Sequence, residues 1–283
     1  MICLTGDIHH EALKTGNQHH SDRAEIQTAL DFAQLLETYQ VKMTLFISGK
    51  TFLESPSACQ TLAQNPLIEI GGHNWDCFEP SLWHRFWNKT TGSYNGPRWY
   101  QRRDVKKTKA IIEQFTQKPL ICWRNHMYMH GPHTEAVLAE AGLQICSDGV
   151  KKSTEGLEAH PTGIYNFPLN IMPDHEHIYH AERTPEWVEA WIKRYQWRDD
   201  FGSASYTVEV WADKVLSQLQ ANKKAGKISH MILHPLTMYL CDQYQSARRL
   251  LEFIASCESI HMQDLITAKK GTPDAQDLYH YAH

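Results

Sequence analysis

The sequence predicts an α/β fold: a parallel sheet with crossover helices, closed toward a (β/α) barrel. Three observations predict it. Short apolar runs alternate with longer stretches of near-helical apolar spacing, which is the sign of strand–helix–strand units. Successive runs end in polar functional residues, Asp7, His73, Arg124, Asp148 and His234. In a parallel barrel such ends converge on one face, where the βα loops build a site. No repeat, low-complexity tract or linker divides the 283 residues, so 1–268 read as one barrel domain and 269–283 as a polar tail.

The elements follow in order. Met1–Leu4 is an apolar run that reads as a buried strand, ending in Gly6-Asp7-Ile8-His9-His10. Side chains alternate along a strand, so Asp7 and His9 share a face with Cβ atoms about 7 Å apart. After a polar loop, Ser21 and Asp22 can cap a helix over Ala24–Tyr39, where Ile26, Leu30, Phe32, Leu35 and Leu36 recur near helical spacing. Lys42–Ser48 is a second strand closed by Gly49, residues 56–65 a helix, and 67–70 a third strand running into Gly71-Gly72-His73. Residues 76–98 read as a long aromatic-rich loop and 103–117 as a charged helix. Pro119–Trp123 is a fourth strand followed at once by Arg124. A helix over 133–141 closes at Gly142, and 143–146 is a fifth strand ending at Ser147-Asp148. Ile164–Leu169 is a further strand, and Asp174-His175-Glu176-His177 reads as a solvated polar loop. Helices are expected over 185–197 and 206–221. A late strand, 228–233, ends at His234-Pro235, followed by a last helix over 243–257 and a short strand near Ile260.

Composition narrows the function classes. The net charge of −4 offers no broad basic field for nucleic acid or an anionic membrane. No apolar run reaches 18 residues, so no membrane span is expected. Seven cysteines, an odd number without CxxC spacing, argue against a disulfide framework and for a reducing compartment. The chain opens on strand-like sequence with no charged and apolar leader, so a cytoplasmic protein is expected. Nine Trp and twelve Tyr are compatible with a carbohydrate-binding groove and equally with core packing.

Asp7 at a strand end can move a proton or hold a metal; strand register decides which. His9 shares its face, while His10 points elsewhere or serves in its place. His73 and Cys77 lie four residues apart, so one helical turn would stack them as imidazole and thiolate ligands for Zn²⁺. Cys77 reads equally well as a small buried apolar group. His234, an imidazole of ordinary pKa about 6.5, is the candidate general acid. Trp75, Trp83, Trp87, Trp99 and Tyr100 can stack on a sugar or cover the barrel mouth. His126, His130 and His133 carry no distinct signal.

At these residues the sequence resembles the polysaccharide deacetylase family, also known as the NodB-homology or carbohydrate esterase family 4 group. Leu4-Thr5-Gly6-Asp7 sits where that family's T-F-D-D motif begins. Thr44-Leu-Phe-Ile-Ser-Gly49 is similar to A-T-F-F-x-x-G. Glu69-Ile-Gly-Gly-His73-Asn-Trp-Asp-Cys77 is similar to E-[IL]-[GA]-x-H-[ST]-x-x-H. Trp123-Arg124-Asn-His-Met-Tyr128 resembles F-R-x-P-Y, and Ile232-Leu233-His234 resembles L-x-H. The resemblance spans about Met1–Pro235. It implies a distorted, NodB-like, seven-stranded (β/α) barrel and a hydrolase that removes an N-acetyl or related acyl group from an amino sugar or glycan. It implies a divalent metal, Zn²⁺ first, with Asp7, His9 and His73 as ligands and His10 and Cys77 as further candidates. It implies Asp7 as base where it is not a ligand, His234 as acid, Arg124 paired with Asp148 to orient them, and Trp75, Trp99 and Tyr128 against the substrate. A backbone N–H after Tyr128 would share the oxyanion.

Three departures are plain. Ile8 stands where a second Asp is expected, Cys77 where a second His is, and His126 where Pro is. They keep other readings open: a metal-free relative acting on another C–N bond, or a non-catalytic glycan-binding module. Gly6-Asp7-Ile8-His9 also resembles the G-D-x-H of calcineurin-like metallophosphoesterases. The oligomeric state is not legible.

Overall fold

The computed structural model describes residues 1–266, so the expected tail over 269–283 lies outside the described residues. Nine strands form one sheet: β1 Ile2–Ile8, β2 Met43–Ile47, β3 Ile68–Gly72, β4 Cys122–Trp123, β5 Ile145–Cys146, β6 Glu158–Ala159, β7 Tyr165–Asn166, β8 Ser229–Ile232 and β9 Ser259–Ile260. The order is β6-β7-β5-β4-β3-β2-β1-β8, with β9 also on β1. The run from β7 to β8 is parallel throughout, and with β6 and β9 the sheet among the described residues exceeds the seven strands expected. The short β6 is antiparallel to β7, and β9 lies parallel beside the start of β1. Beyond β7 the backbone N–H groups of Asn170 and Ile171 donate to the His230 carbonyl at 3.1 and 3.2 Å. That contact curls the far edge of the sheet back onto β8.

Every residue of β1 is buried, as a central parallel strand requires, because both of its faces are covered. Its alternation sorts the interior. Ile2, Leu4 and Ile8 join the large core under the helices with Phe32, Leu36, Phe52, Trp211 and Leu250. Cys3 faces inward onto a smaller cluster of Phe46, Cys122, Ile145, Phe167 and Met262. Thr5 and Asp7 continue that inward row toward the carboxyl ends. Gly72 is paired with Trp123 across the sheet, and a Cβ there would collide with the Trp123 ring. This close approach brings β3 and β4 together just where His73 and Arg124 follow.

Several boundaries differ from expectation for local reasons. The expected loop over 76–98 contains a helix, Ser81–Thr91, closed by Gly92 at φ 70°. Its Leu82, Trp83 and Phe86 are exposed, so burial periodicity does not mark it. The charged helix starts earlier, at Arg98 after Pro97. The polar loop after β1 holds a short helix, Gly16–His20. The last expected helix is preceded by a separate one, Pro235–Asp242, which packs with Gln245–Ala255; Gln243 and Tyr244, at φ 52° and 71°, make the break. Asp174–His177 is a helical turn, not a loop in solvent.

A long excursion leaves the barrel after that turn and returns beside it. Ile178 bridges Tyr206, the Tyr206 N–H donates to the His177 carbonyl at 2.8 Å, and the Tyr179 N–H donates to the Tyr206 carbonyl at 2.9 Å. Between these points runs the helix Pro185–Tyr195, capped by Thr184, whose hydroxyl accepts from the Trp187 N–H at 3.3 Å. No helix among the described residues is long and apolar enough to cross a membrane.

Candidate active site

The carboxyl ends of β1, β3, β4 and β8 bring Asp7, His73, Arg124 and His234 together. Arg124 is fully buried and held from every side. Nη1 donates to Asp7 Oδ1 at 2.8 Å, Nη2 to Thr5 Oγ1 at 2.9 Å and to Ser147 Oγ at 2.6 Å, and Nε to the Ser147 carbonyl at 3.0 Å. Its guanidinium also lies 4.4 Å from the Phe46 ring centroid. His230 Nε2, 3.2 Å from Nη2, must accept, because an arginine only donates; its Nδ1–H then goes to the Pro168 carbonyl at 3.1 Å. Burial and the neighbouring Arg124 keep that imidazole neutral, well below the usual histidine range.

Burial alone would raise the Asp7 carboxyl, but Arg124, with His73, His234 and His9 around it, outweighs burial and holds it down at about 2. The second oxygen, Oδ2, lies 3.9 Å from His73 Nε2 and 3.8 Å from His234 Nε2. His234 is fixed by Asp174: Nδ1 to Oδ1 is 2.7 Å and the backbone N–H to Oδ2 is 2.6 Å. Burial would lower this imidazole; the charges of Asp174, Asp7 and Glu176 overcome that and raise it to about 9. Asp174 is fully buried. The sequence reading of 174–177 as solvated is therefore corrected, because this turn lies over the end of β8 rather than in water.

Asp148 does not pair with Arg124. It accepts from the Asn125 backbone N–H at 2.8 Å and from Asn125 Nδ2 at 2.6 Å. Asn125 in turn accepts from Trp123 Nε1 at 3.0 Å, and Asn74 accepts from the His126 N–H at 2.8 Å. Asp148 thus braces the loop that carries His126 and Tyr128, and Arg124 takes Asp7 as its charge partner. Of the backbone N–H groups that follow Tyr128, that of Met129 donates to the His126 carbonyl at 3.2 Å.

Beside Asp7 stand His9, His73, Cys77 and His126, with ligand atoms all within 4.8 Å of one another. Two are prepared as ligands by their other nitrogen. His73 Nδ1 lies 3.0 Å from the Arg124 carbonyl, which can only accept, so the proton is on Nδ1 and the Nε2 lone pair is free. Burial outweighs Asp7 and pushes this imidazole down to about 3, so it is neutral. His9 Nδ1 lies 2.8 Å from Glu25 Oε1, the same arrangement with a carboxylate. His73 Nε2 and His126 Nδ1 are buried without a hydrogen-bond partner. Burial keeps the Cys77 thiol far above its usual range in the cation-free protein. Three imidazoles and a sulfur, with two of the ring nitrogens buried and without a partner, fit a borderline divalent cation such as Zn²⁺.

The remaining expected residues fall elsewhere. His10 is buried but turned away: Nε2 meets the Asp76 carbonyl at 3.0 Å, and Nδ1 lies 3.8 Å from Glu54. Trp75 is half-buried under Lys107, whose Nζ is 3.4 Å from the ring centroid, and Trp99 is exposed on the Arg98–Thr116 helix; neither lines the cavity. Tyr128 does line it. The cavity, about 760 Å³, extends from Asp7, His9, His126 and His234 to Trp187, Trp191 and Trp197 on the excursion. Sequence reasoning does not single out Glu25 or these three tryptophans, and it names Asp174 only as part of a polar loop. Asp174-His-Glu-His177 carried the one available signal, a carboxylate and imidazoles crowded on four residues.

Comparison with known proteins gives a partial family match and a fold. Residues 24–146 match the family model described as polysaccharide deacetylase. None of the curated proteins matches. A Mycobacterium smegmatis protein assigned as a polysaccharide deacetylase superposes with a TM-score of 0.67 at 15% identity, over 99% of this chain and 94% of that one. The allantoinase PuuE gives 0.65 at 12% identity, over 96% and 90%. A carbohydrate esterase family 4 pseudoenzyme from Bacillus anthracis gives 0.50 at 12%, over 94% and 65%. At these identities the likeness is one of fold, which enzymes and a pseudoenzyme share, so the site residues must carry the argument about chemistry. The match to that family model covers residues 24–146, under half of the chain, and over the rest the likeness is to the barrel that polysaccharide deacetylases share.

Proposed function

We propose that the protein hydrolyses a C–N amide bond, removing an N-acetyl or related acyl group from an amino sugar or glycan. One observation carries this reading. Asp7 and His234 face each other 3.8 Å apart at one end of a cavity, with their proton affinities pushed in opposite directions. Two titratable groups driven apart by their surroundings form an acid and base pair. The family match over residues 24–146 favours this over the phosphoesterase reading.

Asp7 is ionised at neutral pH and offers Oδ2 to the attacking water. Its low proton affinity makes it a weak base, so it orients that water and takes the proton only as the C–O bond forms. His234 is the imidazolium, held by Asp174 so that Nε2–H points at the reacting centre. It gives that proton to the amide nitrogen as the C–N bond breaks, which releases a free amine and a carboxylate. Arg124 keeps Asp7 charged and in place, and Tyr128 walls the cavity beside it. His9, His73, Cys77 and His126 would hold a divalent cation, Zn²⁺ first. When bound it supplies a Lewis acid for the acyl oxygen and for water.

Acetate release from N-acetylated amino sugars and their oligomers tests the reading. Wild type is expected to release it and Asp7→Asn and His234→Asn to fall by on the order of 10²–10⁴-fold. Zinc-loaded wild type that releases no acetate or other acyl group from any such substrate would overturn the reading.

A further inference from the structure

One helix turns its apolar side outward. Along Ser81–Thr91 the buried residue is His84, while Leu82, Trp83 and Phe86 on the opposite side are 77%, 42% and 51% exposed. Leu82 and Phe86 stand one turn apart, and the Trp83 and Phe86 rings stack with centroids 6.0 Å apart, so the three form one patch. The helix is fastened to the protein from behind. His84 Nδ1 meets the Tyr94 carbonyl at 2.6 Å, and its ring lies 5.2 Å from Phe78, which in turn lies 5.5 Å from His126. Asn95 Nδ2 donates to the Met129 carbonyl at 2.6 Å, which ties the segment to the loop that borders the cavity. A contiguous apolar patch held outward on a braced helix marks a contact surface.

Charge identifies the partner. Residues 81–107 hold seven Lys and Arg against a single acid, Asp104, a local charge of +6 in a chain whose total is −4. Asp104 turns inward, accepting from the Trp75 N–H at 3.0 Å and from Asn74 Nδ2 at 3.1 Å. Arg98 and Arg102 pair with Glu140, whereas Arg85 and Lys89 are exposed on the same helix as the patch, Lys89 one turn beyond Phe86. We propose that this face docks on an anionic membrane surface. Leu82, Trp83 and Phe86 enter the boundary between headgroups and acyl chains, and Arg85 and Lys89 meet the lipid phosphates. A second copy of this chain would set the same cations against these, so like charge opposes a symmetric dimer here. A single-stranded nucleic acid would use the cations and the rings but leave Leu82, the most exposed large apolar side chain among the described residues, in water. The attachment is to the surface and involves no span. It goes beyond the hydrolase reading and uses none of that site's residues.

The test is co-sedimentation of the full chain with vesicles of phosphatidylcholine alone, and of phosphatidylcholine and phosphatidylglycerol in equal parts. The wild-type protein is compared with two double variants, Leu82→Ser/Phe86→Ser and Arg85→Gln/Lys89→Gln. All four side chains are exposed, so the core stays intact, and the circular dichroism of each variant checks this. Wild type is expected to partition onto the anionic vesicles, less so as salt rises, and far less onto the neutral ones. The serine variant should lower that partition roughly tenfold or more. The glutamine variant should lower it about fivefold for each charge removed, on anionic vesicles only. Acyl release from a water-soluble substrate should be the same in all three proteins. Wild type that ignores anionic vesicles, or partition that survives in both variants, overturns the membrane face. So does a concentration-dependent dimer that the serine variant abolishes without any vesicle binding, or capture of single-stranded RNA by a protein that leaves the vesicles in place.

Discussion

Asp174 grips His234 at two points, the ring through Nδ1 at 2.7 Å and the main chain through the amide at 2.6 Å. The double contact fixes both the tautomer and the position of the imidazole, and it keeps Nε2 turned toward Asp7. An asparagine in this place can accept only one of the two hydrogen bonds and supplies no charge. Asp174→Asn is therefore expected to lower kcat for acyl release by roughly 10²-fold or more with little change in KM. Steady-state kinetics would decide it; a variant with full kcat removes Asp174 from the positioning of the acid.

The four-donor cluster makes a prediction about metal content. Purified protein loaded with Zn²⁺ should hold one equivalent in elemental analysis, and His73→Ala and His126→Ala should lose it. Cobalt-substituted protein should show a thiolate-to-cobalt charge-transfer band that Cys77→Ser lacks. An unchanged cobalt spectrum in Cys77→Ser would make Cys77 a packing residue after all.

Arg124 and Asp7 form a buried pair, and removing one partner strands the other charge. Arg124→Met should destabilise the fold by about 3–5 kcal/mol in urea unfolding. The double variant Arg124→Met/Asp7→Asn should lose less than the sum of the two single ones, because no orphaned charge remains.

Glu69 gives the fold a pH dependence away from the site. It is buried, and burial outweighs its hydrogen bond from Thr44, at 2.6 Å, so that its carboxyl rises from 4.5 to about 7. The folded state holds this proton more tightly than the unfolded one. Its contribution is thus complete below pH 4.5 and fades as pH climbs through about 7. Glu69→Gln keeps an oxygen for Thr44 and carries no charge. Melting curves between pH 5 and 8 should show the wild type losing stability relative to this variant as pH rises; parallel curves would contradict the assignment.

The fold was legible because apolar runs and strand-end polar residues are local patterns. Asp7 stands at the carboxyl end of β1 and His73, Arg124 and His234 follow β3, β4 and β8, and a parallel barrel leaves these ends nowhere else to go. The partners were harder to read. Arg124 takes Asp7, 117 residues away, rather than Asp148, and no periodicity encodes that choice. Asp174 looked like a polar loop because its burial comes from the end of β8, 60 positions later. His126 carried no weight alone; it becomes a ligand candidate only when β1, β3 and the loop after β4 place three imidazoles with ring centroids 4.9 to 5.5 Å apart. The tryptophans named from sequence stand near the motifs, whereas Trp187, Trp191 and Trp197, which line the cavity, sit on an excursion that no motif marks.

That excursion leaves and re-enters the protein at one spot, where Tyr206 pairs with the stretch His177–Tyr179. Asp174 sits on the barrel side of this clasp and the three indoles on the other. Residues 180–205 are nevertheless tied into the turn that holds the acid, because Arg183 and Ser205 both donate to the Glu176 carbonyl and Asp199 meets His177, so a change in the excursion reaches the turn that carries Asp174.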